Sequence, residues 1–504
     1  MNDNLIAHIL AEAGTVGGKS FLTEGGRPVL AYADLDRETG RLAARLLALG
    51  AAVGDRIVVQ VEKSPEAVVL YLAAVRAGLV YVPLNTAYTA AELEYFIGDA
   101  EPALVVCRPG DEATVSAVAG GARVLTLGTD GTGSLLDNVP KVGVAVAVRS
   151  SDDLAAILYT SGTTGRSKGA MLSHGNLLSN ALTLKALWQW QPDDVLIHIL
   201  PIYHVHGLFV ALHGALLAGA EVLFHRGFDP DAVIDDFARG TVLMGVPTHY
   251  TRLTDHPRLT PAGAAHMRLF ISGSAPLLAE AHRRFEEKSG SRILERYGMT
   301  ETGMITSNPY DGARVAGTVG YPLPGVEVRI HDDTGQPVAA GQPGVLQVRG
   351  PNVFKGYWRN PEKTREEFRA DEFGGGWFVT GDVATQDPDG RVTLVGRAKD
   401  LIIAGGLNIY PKEIEEAIDA IAGVFESAVI GVAHPDMGEA VVAVVAREAG
   451  GAVDEAGILA GIAGKLARFK QPRRVIVIDA LPRNAMGKVQ KAALRSQYGA
   501  LFGG

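Results

Sequence analysis

Cysteine is nearly absent. The single Cys107 among 504 residues excludes an intramolecular disulfide framework and a multi-cysteine metal site. It ends the apolar run Ala103-Leu104-Val105-Val106-Cys107, where a packed thiol is expected rather than a nucleophile. Long hydrophobic runs are missing too. None reaches the roughly 18 uninterrupted apolar residues that a membrane helix needs; residues 207–220 come nearest and contain His213. Met1-Asn2-Asp3-Asn4 lacks the basic and apolar regions of a secretory signal, and Leu501-Phe502-Gly503-Gly504 is not a peroxisomal address, so a cytoplasmic protein is expected. Positive charge is in deficit. A formal net charge of −9 and a pI near 5.8 argue against general nucleic-acid binding. What remains is ordinary for a soluble globular chain, with 47% hydrophobic and 20% charged residues. The length exceeds one core and predicts more than one domain.

Apolar strand-like runs alternate with helical segments through most of the first three-quarters of the chain. Residues 56–61, 103–107, 242–246 and 269–272 read as strands, and residues 64–77 as a helix opened by Ser64 and Pro65. Such alternation predicts α/β layers with mostly parallel strands, and active residues in loops at the strands' carboxyl ends. Residues 318–395 change character, with frequent Gly and Pro and short alternating runs that predict a small antiparallel, barrel-like unit. After Lys399 a second compact unit is expected. In it, residues 411–421 form a helix with Ile414, Ile418 and Ile421 on one face, residues 441–446 and 474–478 form strands, and the Gly-Ala-rich residues 449–464 form a loop and a small helix.

The most informative stretch is Tyr159-Thr160-Ser161-Gly162-Thr163-Thr164-Gly165-Arg166-Ser167-Lys168-Gly169, directly after the strand-like residues 154–158. Its glycines allow close backbone approach to a ligand, its hydroxyls offer hydrogen bonds, and Arg166 and Lys168 bring positive charge. Together these can wrap a triphosphate. The spacing of a Walker A loop is absent, and a flexible linker is the competing reading. Downstream stand Glu295-Arg296-Tyr297-Gly298-Met299-Thr300-Glu301, Thr380-Gly381-Asp382, Gly396-Arg397-Ala398-Lys399-Asp400, and residues 482–491, which include Met486-Gly487-Lys488.

In this order and at these distances the motifs resemble the adenylate-forming superfamily of acyl-CoA synthetases, luciferases and peptide-synthetase adenylation domains. Ile202-Tyr203-His204-Val205-His206-Gly207, Gly245-Val246-Pro247-Thr248, Ser272-Gly273-Ser274-Ala275 and Glu295-Arg296-Tyr297-Gly298 bring the chain nearest to the malonyl-CoA synthetases. The resemblance implies an α/β fold. A large N-terminal domain of layered α/β subdomains with the barrel-like unit would span residues 1–398, and a small mobile α+β domain residues 399–504. It also implies ATP-dependent ligation of malonate to CoA through an acyl-adenylate, releasing AMP and pyrophosphate, with Mg²⁺ as cofactor.

The resemblance carries roles onto particular residues. Thr160, Ser161, Gly162, Thr163, Thr164, Gly165 and Lys168 would hold the phosphates, and Glu301 with Thr160 the Mg²⁺. Glu301 could instead be a helix-starting carboxylate. Gly273, Ser274, Ala275, Gly298 and Thr300 would complete the nucleotide pocket. Asp382 would take the ribose hydroxyls, or serve only as a turn residue. Arg397 would assist at ribose or phosphate, or form a surface ion pair. Tyr297 would stack on adenine, or be a core tyrosine. Lys488 would bridge the acid and the α-phosphate, and would be a target for a lysine acetyltransferase and deacetylase; alone, a lysine beside glycine is usually just solvated. Lys399 would be the pivot that brings Gly405 and Gly406 to the pantetheine tunnel.

The acid pocket is expected to be polar. Arg252 and Arg296, with Ser274 assisting, resemble positions that bind the distal carboxylate in malonyl-CoA synthetases, and His204 or, better placed before Gly207, His206 would line the pocket; without the resemblance each arginine reads as a surface or ion-pair residue. His204 and His206 lack a third ligand for zinc. Val205 stands where threonine can occur, and Gly303 and Ile305 replace larger or more polar residues, which predicts room for methylmalonate. Another short-chain or aryl acyl-CoA ligase, and an adenylation module serving a carrier protein, are the competing functions.

Overall fold

The structure is a computed structural model that describes residues 2–160, 167–370, 376–404, 407–435, 437–448, 450–463, 465–484 and 487–502. Ser161, Gly162, Thr163, Thr164 and Gly165 of the glycine-rich loop, and Gly405 and Gly406, lie outside these residues.

Valine- and isoleucine-rich runs buried on both faces build two largely parallel sheets. In the first, six strands run in the order Arg123–Thr126, Leu104–Cys107, Arg56–Gln60, Val80–Pro83, Leu154–Thr160, Lys168–Ser173, the last antiparallel to its neighbour. In the second, nine strands include the parallel series Leu269–Ser272, Val242–Gly245, Val195–His198 and Glu221–Phe224. Crossover helices cover them, as parallel pairing requires. The Ser64 hydroxyl caps helix Pro65–Arg76 by accepting from the Ala67 N–H at 3.1 Å, and Thr89 and Glu92 form a capping box on helix Ala90–Ala100. Cys107 is fully buried, and burial pushes its thiol up to about 12, which keeps it protonated and unreactive.

The Gly- and Pro-rich region forms an antiparallel sheet in the order Glu327–His331, Gly344–Arg349, Gly376–Gln386, Phe368–Ala370, with Val392–Arg397 also on Gly376–Gln386. Among the described residues it stays open, so the barrel-like expectation is corrected. One long strand serves three neighbours, and no pairing joins Glu327–His331 to Val392–Arg397. A register shift between Val383 and Ala384 bends this strand and sets Asp382 opposite Arg397.

The C-terminal strands Ile402–Ala404, Leu407–Ile409, Val424–His434, Gly438–Arg447 and Arg474–Ile478 form a fourth sheet. Helices Pro411–Asp419 and Glu455–Ile462 bury Ile414, Ile418, Ile458 and Ile462 against one face, while Leu494 of helix Lys491–Tyr498 covers the other. These two clusters are separate from the large N-terminal core. Ile418→Ala should therefore cost about 2–5 kcal/mol locally. Hydrogen exchange should accelerate in Val424–His434 and stay unchanged in Val195–His198; equal acceleration in both would mean that the cores unfold together.

Candidate active site

Parallel register gathers the motifs at one edge. His198 pairs with Met244, Gly245 with Ser272, and Ser272 with Glu295, so the loops after three strands open beside the strand Ile293–Met299 that carries Arg296 and Tyr297. Arg296 is only 4% exposed, and its Nε and Nη2 have no hydrogen-bond partner among the described residues. The guanidinium packs against Gly273, where an added Cβ would stand 2.3 Å from Cζ. Burial pushes its pKa down to about 9. Beside it Ser274 holds a φ of 70°, a conformation costly for a residue with a side chain. Its Oγ lies 3.2 Å from Nδ1 of the buried His206. The His206 N–H in turn donates to His204 Nδ1 at 3.3 Å. Arg252 is not enclosed with this group: it is exposed on helix Pro247–Thr254, whose buried residues are Tyr250, Leu253 and Thr254. Val205, Thr300 and Gly303 line one small cavity with Asn180, whereas Ile305 is buried in the core and does not line it.

A second cluster faces the antiparallel sheet. The Tyr297 hydroxyl donates to Asp382 Oδ2 at 2.5 Å, and Arg397 Nε lies 2.8 Å from Asp382 Oδ1. Burial raises the Asp382 pKa and the Arg397 cation pulls it back. Glu301 sits in the turn between strands Ile293–Met299 and Gly303–Ser307, so it does not start a helix. Thr160 Oγ1 donates to its Oε1 at 3.3 Å and the Tyr357 hydroxyl at 3.1 Å; burial raises its pKa. Lys168 pairs with Glu367 at 3.2 Å and lies 4.4 Å over the Tyr357 ring. Nothing in the spacing of Gly356-Tyr357-Trp358 marks Tyr357 as a partner of Glu301; only the tertiary fold brings them together. Gly298 is obligatory, since a Cβ there would lie 2.0 Å from the Gly303 carbonyl oxygen.

The family profile described as AMP-binding enzyme matches residues 12–358, and that of the AMP-binding enzyme C-terminal domain matches residues 413–488. The chain belongs to the AMP-binding enzymes. It is 37% identical over 478 residues to a feruloyl-CoA synthase of an Amycolatopsis species, covering 94% of this chain and 95% of that protein. It is 34% identical to the mitochondrial malonate–CoA ligase ACSF3 of Bos taurus, covering 92% and 86%. Its fold matches ATP-bound MatB from Rhodopseudomonas palustris with a TM-score of 0.97 at 56% identity over 100% of both chains; the apo form of MatB gives 0.85. The chain is thus an adenylate-forming acyl-CoA ligase in fold and family.

In this AMP-binding enzyme the C-terminal lysine meets the cleft. Gly487 stands beside Thr248, with an added Cβ 3.7 Å from Thr248 Oγ1. Enclosure depresses the Lys488 ammonium, Arg397 depresses it further, and Asp382 and Glu301 counter both. Lys488 keeps an exposed surface, so water screens part of each interaction. Lys399 is exposed in the turn Ala398–Asp400, whose Asp400 pairs with Arg495 at 2.6 Å; Lys412 Nζ donates to the Leu394 carbonyl at 2.6 Å.

Burial disfavours the imidazolium form of three histidines at the edge beside Arg296. Lys63 adds to this at His198, Arg296 at His206, and Lys488 at His204, whose pKa falls to about 3. The neutral rings therefore contribute stability that is complete above the unfolded-state value of about 6.5 and is lost as pH falls through the folded value. NMR should find none of these rings titrating between about pH 5 and 8; a ring that titrates near its ordinary value would mean that water reaches it.

Proposed function

We propose that this ligase joins malonate to CoA. The observation that carries the reading is Arg296, a buried guanidinium without a carboxylate partner among the described residues. A second carboxylate on the acid supplies the missing counter-charge in bidentate geometry, with the Ser274 hydroxyl and His206 at its side. The identity with MatB and with malonate–CoA ligase ACSF3 supports the same acid. The small residues Val205 and Gly303 are the sequence feature that favours methylmalonate as a second substrate.

The acid's other carboxylate attacks the α-phosphorus of ATP and expels pyrophosphate; the CoA thiol then attacks the acyl carbon and releases AMP. The Lys488 ammonium bridges the two anions in the first step only. Asp382, aligned by Tyr297 and Arg397, accepts from the ribose hydroxyls, and the Tyr297 ring stacks on adenine. Backbone groups of Ala275, Gly298 and Thr300 edge the nucleotide, and residues 160–168 receive the β- and γ-phosphates. Glu301 and Thr160 offer oxygen donors of the kind that suits Mg²⁺, which when bound would neutralise phosphate charge. Residues 1–398 and 399–504 act as two domains, and rotation about Lys399 withdraws Lys488 and brings Gly405 and Gly406 to the pantetheine. The lower TM-score to apo MatB than to ATP-bound MatB supports such a movement.

Leaving a buried cation unpaired costs roughly 3–5 kcal/mol, against ~1–3 for one methylene contact. In kcat/KM across malonate, methylmalonate, succinate and acetate, the wild type should prefer malonate or methylmalonate, and Arg296→Ala should erase the preference by about 10²-fold or more. A wild-type preference for acetate or an aromatic acid would sink the dicarboxylate reading and leave a short-chain or aryl ligase.

Lys488→Ala should abolish adenylate formation yet spare thioester formation from supplied malonyl-adenylate. Equal losses in both half-reactions would remove Lys488 from its role.

A further inference from the structure

Lys63 is 8% exposed and has no carboxylate within ion-pair distance among the described residues. It follows the strand Arg56–Gln60 of the six-stranded sheet and crosses to the nine-stranded one. Its Nζ lies 2.7 Å from His198 Nδ1, 2.9 Å from the His198 carbonyl oxygen and 4.6 Å over the Phe224 ring. His198 Nε2 lies 3.0 Å from the Gly207 carbonyl oxygen. A carbonyl only accepts, so Nε2 carries the ring proton. Nδ1 of the neutral ring is then the acceptor and takes a hydrogen from Lys63. The two partners define one tautomer between them.

Gly207 is the second residue of a π-helical turn, His206–Leu212, and a Cβ there would stand 2.1 Å from the Pro201 carbonyl oxygen. The turn is thus pressed against residues 200–201 and pulled toward His198 by its carbonyl. Such turns are less regular than α-helix and are often found at functional sites. His206, one residue earlier, reaches Ser274 beside Arg296. A continuous path therefore runs from Lys63 through His198 and the Gly207 carbonyl to His206 and Ser274.

We propose that Lys63 and His198 are positioning residues for acid binding: they hold the π-helical turn at the depth and rotation that set His206 against Ser274. The inference rests on the reading that Arg296, Ser274 and His206 receive the acid. Stability alone accounts poorly for the lysine. Burying a lysine with no carboxylate partner costs stability, and that burial pushes its ammonium well below the ordinary lysine range. Methionine at this position would keep the packing on Phe224 and release only the hydrogen bonds to His198. Burial and Lys63 both disfavour the His198 imidazolium, which leaves Nδ1 free to accept.

The test measures KM for the acid that the wild type uses best, KM for ATP, and melting temperature. Lys63→Met should raise the acid KM about tenfold or more, leave the ATP KM within about twofold, and shift the melting temperature by no more than a few degrees, because relief of the buried ammonium offsets the donor lost to His198. His198→Gln retains a donor toward Gly207 and an acceptor toward Lys63, so it should stay close to wild type, whereas His198→Phe should behave like Lys63→Met. An unchanged acid KM in Lys63→Met, a parallel rise in both KM values with a lower melting temperature, failure of Lys63→Met to fold, or equal acid KM values in the two His198 variants would each overturn the proposal. Which acid the wild type prefers is read from the wild type alone, so failure of the malonate reading is recognised separately.

Discussion

A positive charge kept from water and left without a partner is the constraint around which the rest of the site is arranged. Arg296 is held by backbone: it stands on an interior strand of the nine-stranded sheet and packs on a glycine that has no atoms to spare. The histidines beside it, His204 and His206, are neutral, since they lose their protons to burial. The folded chain stores an unfavourable electrostatic term at this position that an anionic ligand can relieve. Affinity for that ligand then comes from removing a cost already present in the free protein, and not only from new contacts.

The parallel sheets explain how distant segments reach this position. Each strand ends at the same level as its neighbour, so short loops from residues far apart in sequence line a single rim. The antiparallel sheet then presents Asp382 and Arg397 across from that rim, through the bend in its longest strand. Shape and charge at the site are consequences of register.

Much of this was legible in the sequence, for identifiable reasons. The parallel strands declared themselves because burial on both faces demands unbroken valine and isoleucine. The helix at 411–419 did so through its isoleucine spacing and first-turn proline. Glycines 273 and 298 stood in motifs, and the fold gives each a steric reason. The open edge of the antiparallel sheet was not legible, because closure depends on pairings between strands and not on the pattern within one. Nor was the exposure of Arg252, whose helix turns its tyrosine and leucine inward. Tyr357 and Lys63 carried no local signal; each is defined by a partner more than fifty residues away.

Arg296 and Tyr297 are consecutive residues of one strand, and consecutive side chains point to opposite faces. One is the buried unpaired guanidinium and the other closes on Asp382. A single peptide unit therefore separates two buried polar clusters, which under the proposed function are the acid and nucleotide sides. Any insertion or deletion within that strand would exchange the faces and damage both at once, while substitutions leave the partition intact. New acid preferences in this fold are accordingly open to point changes around the pocket, whereas the strand itself is closed to changes in length.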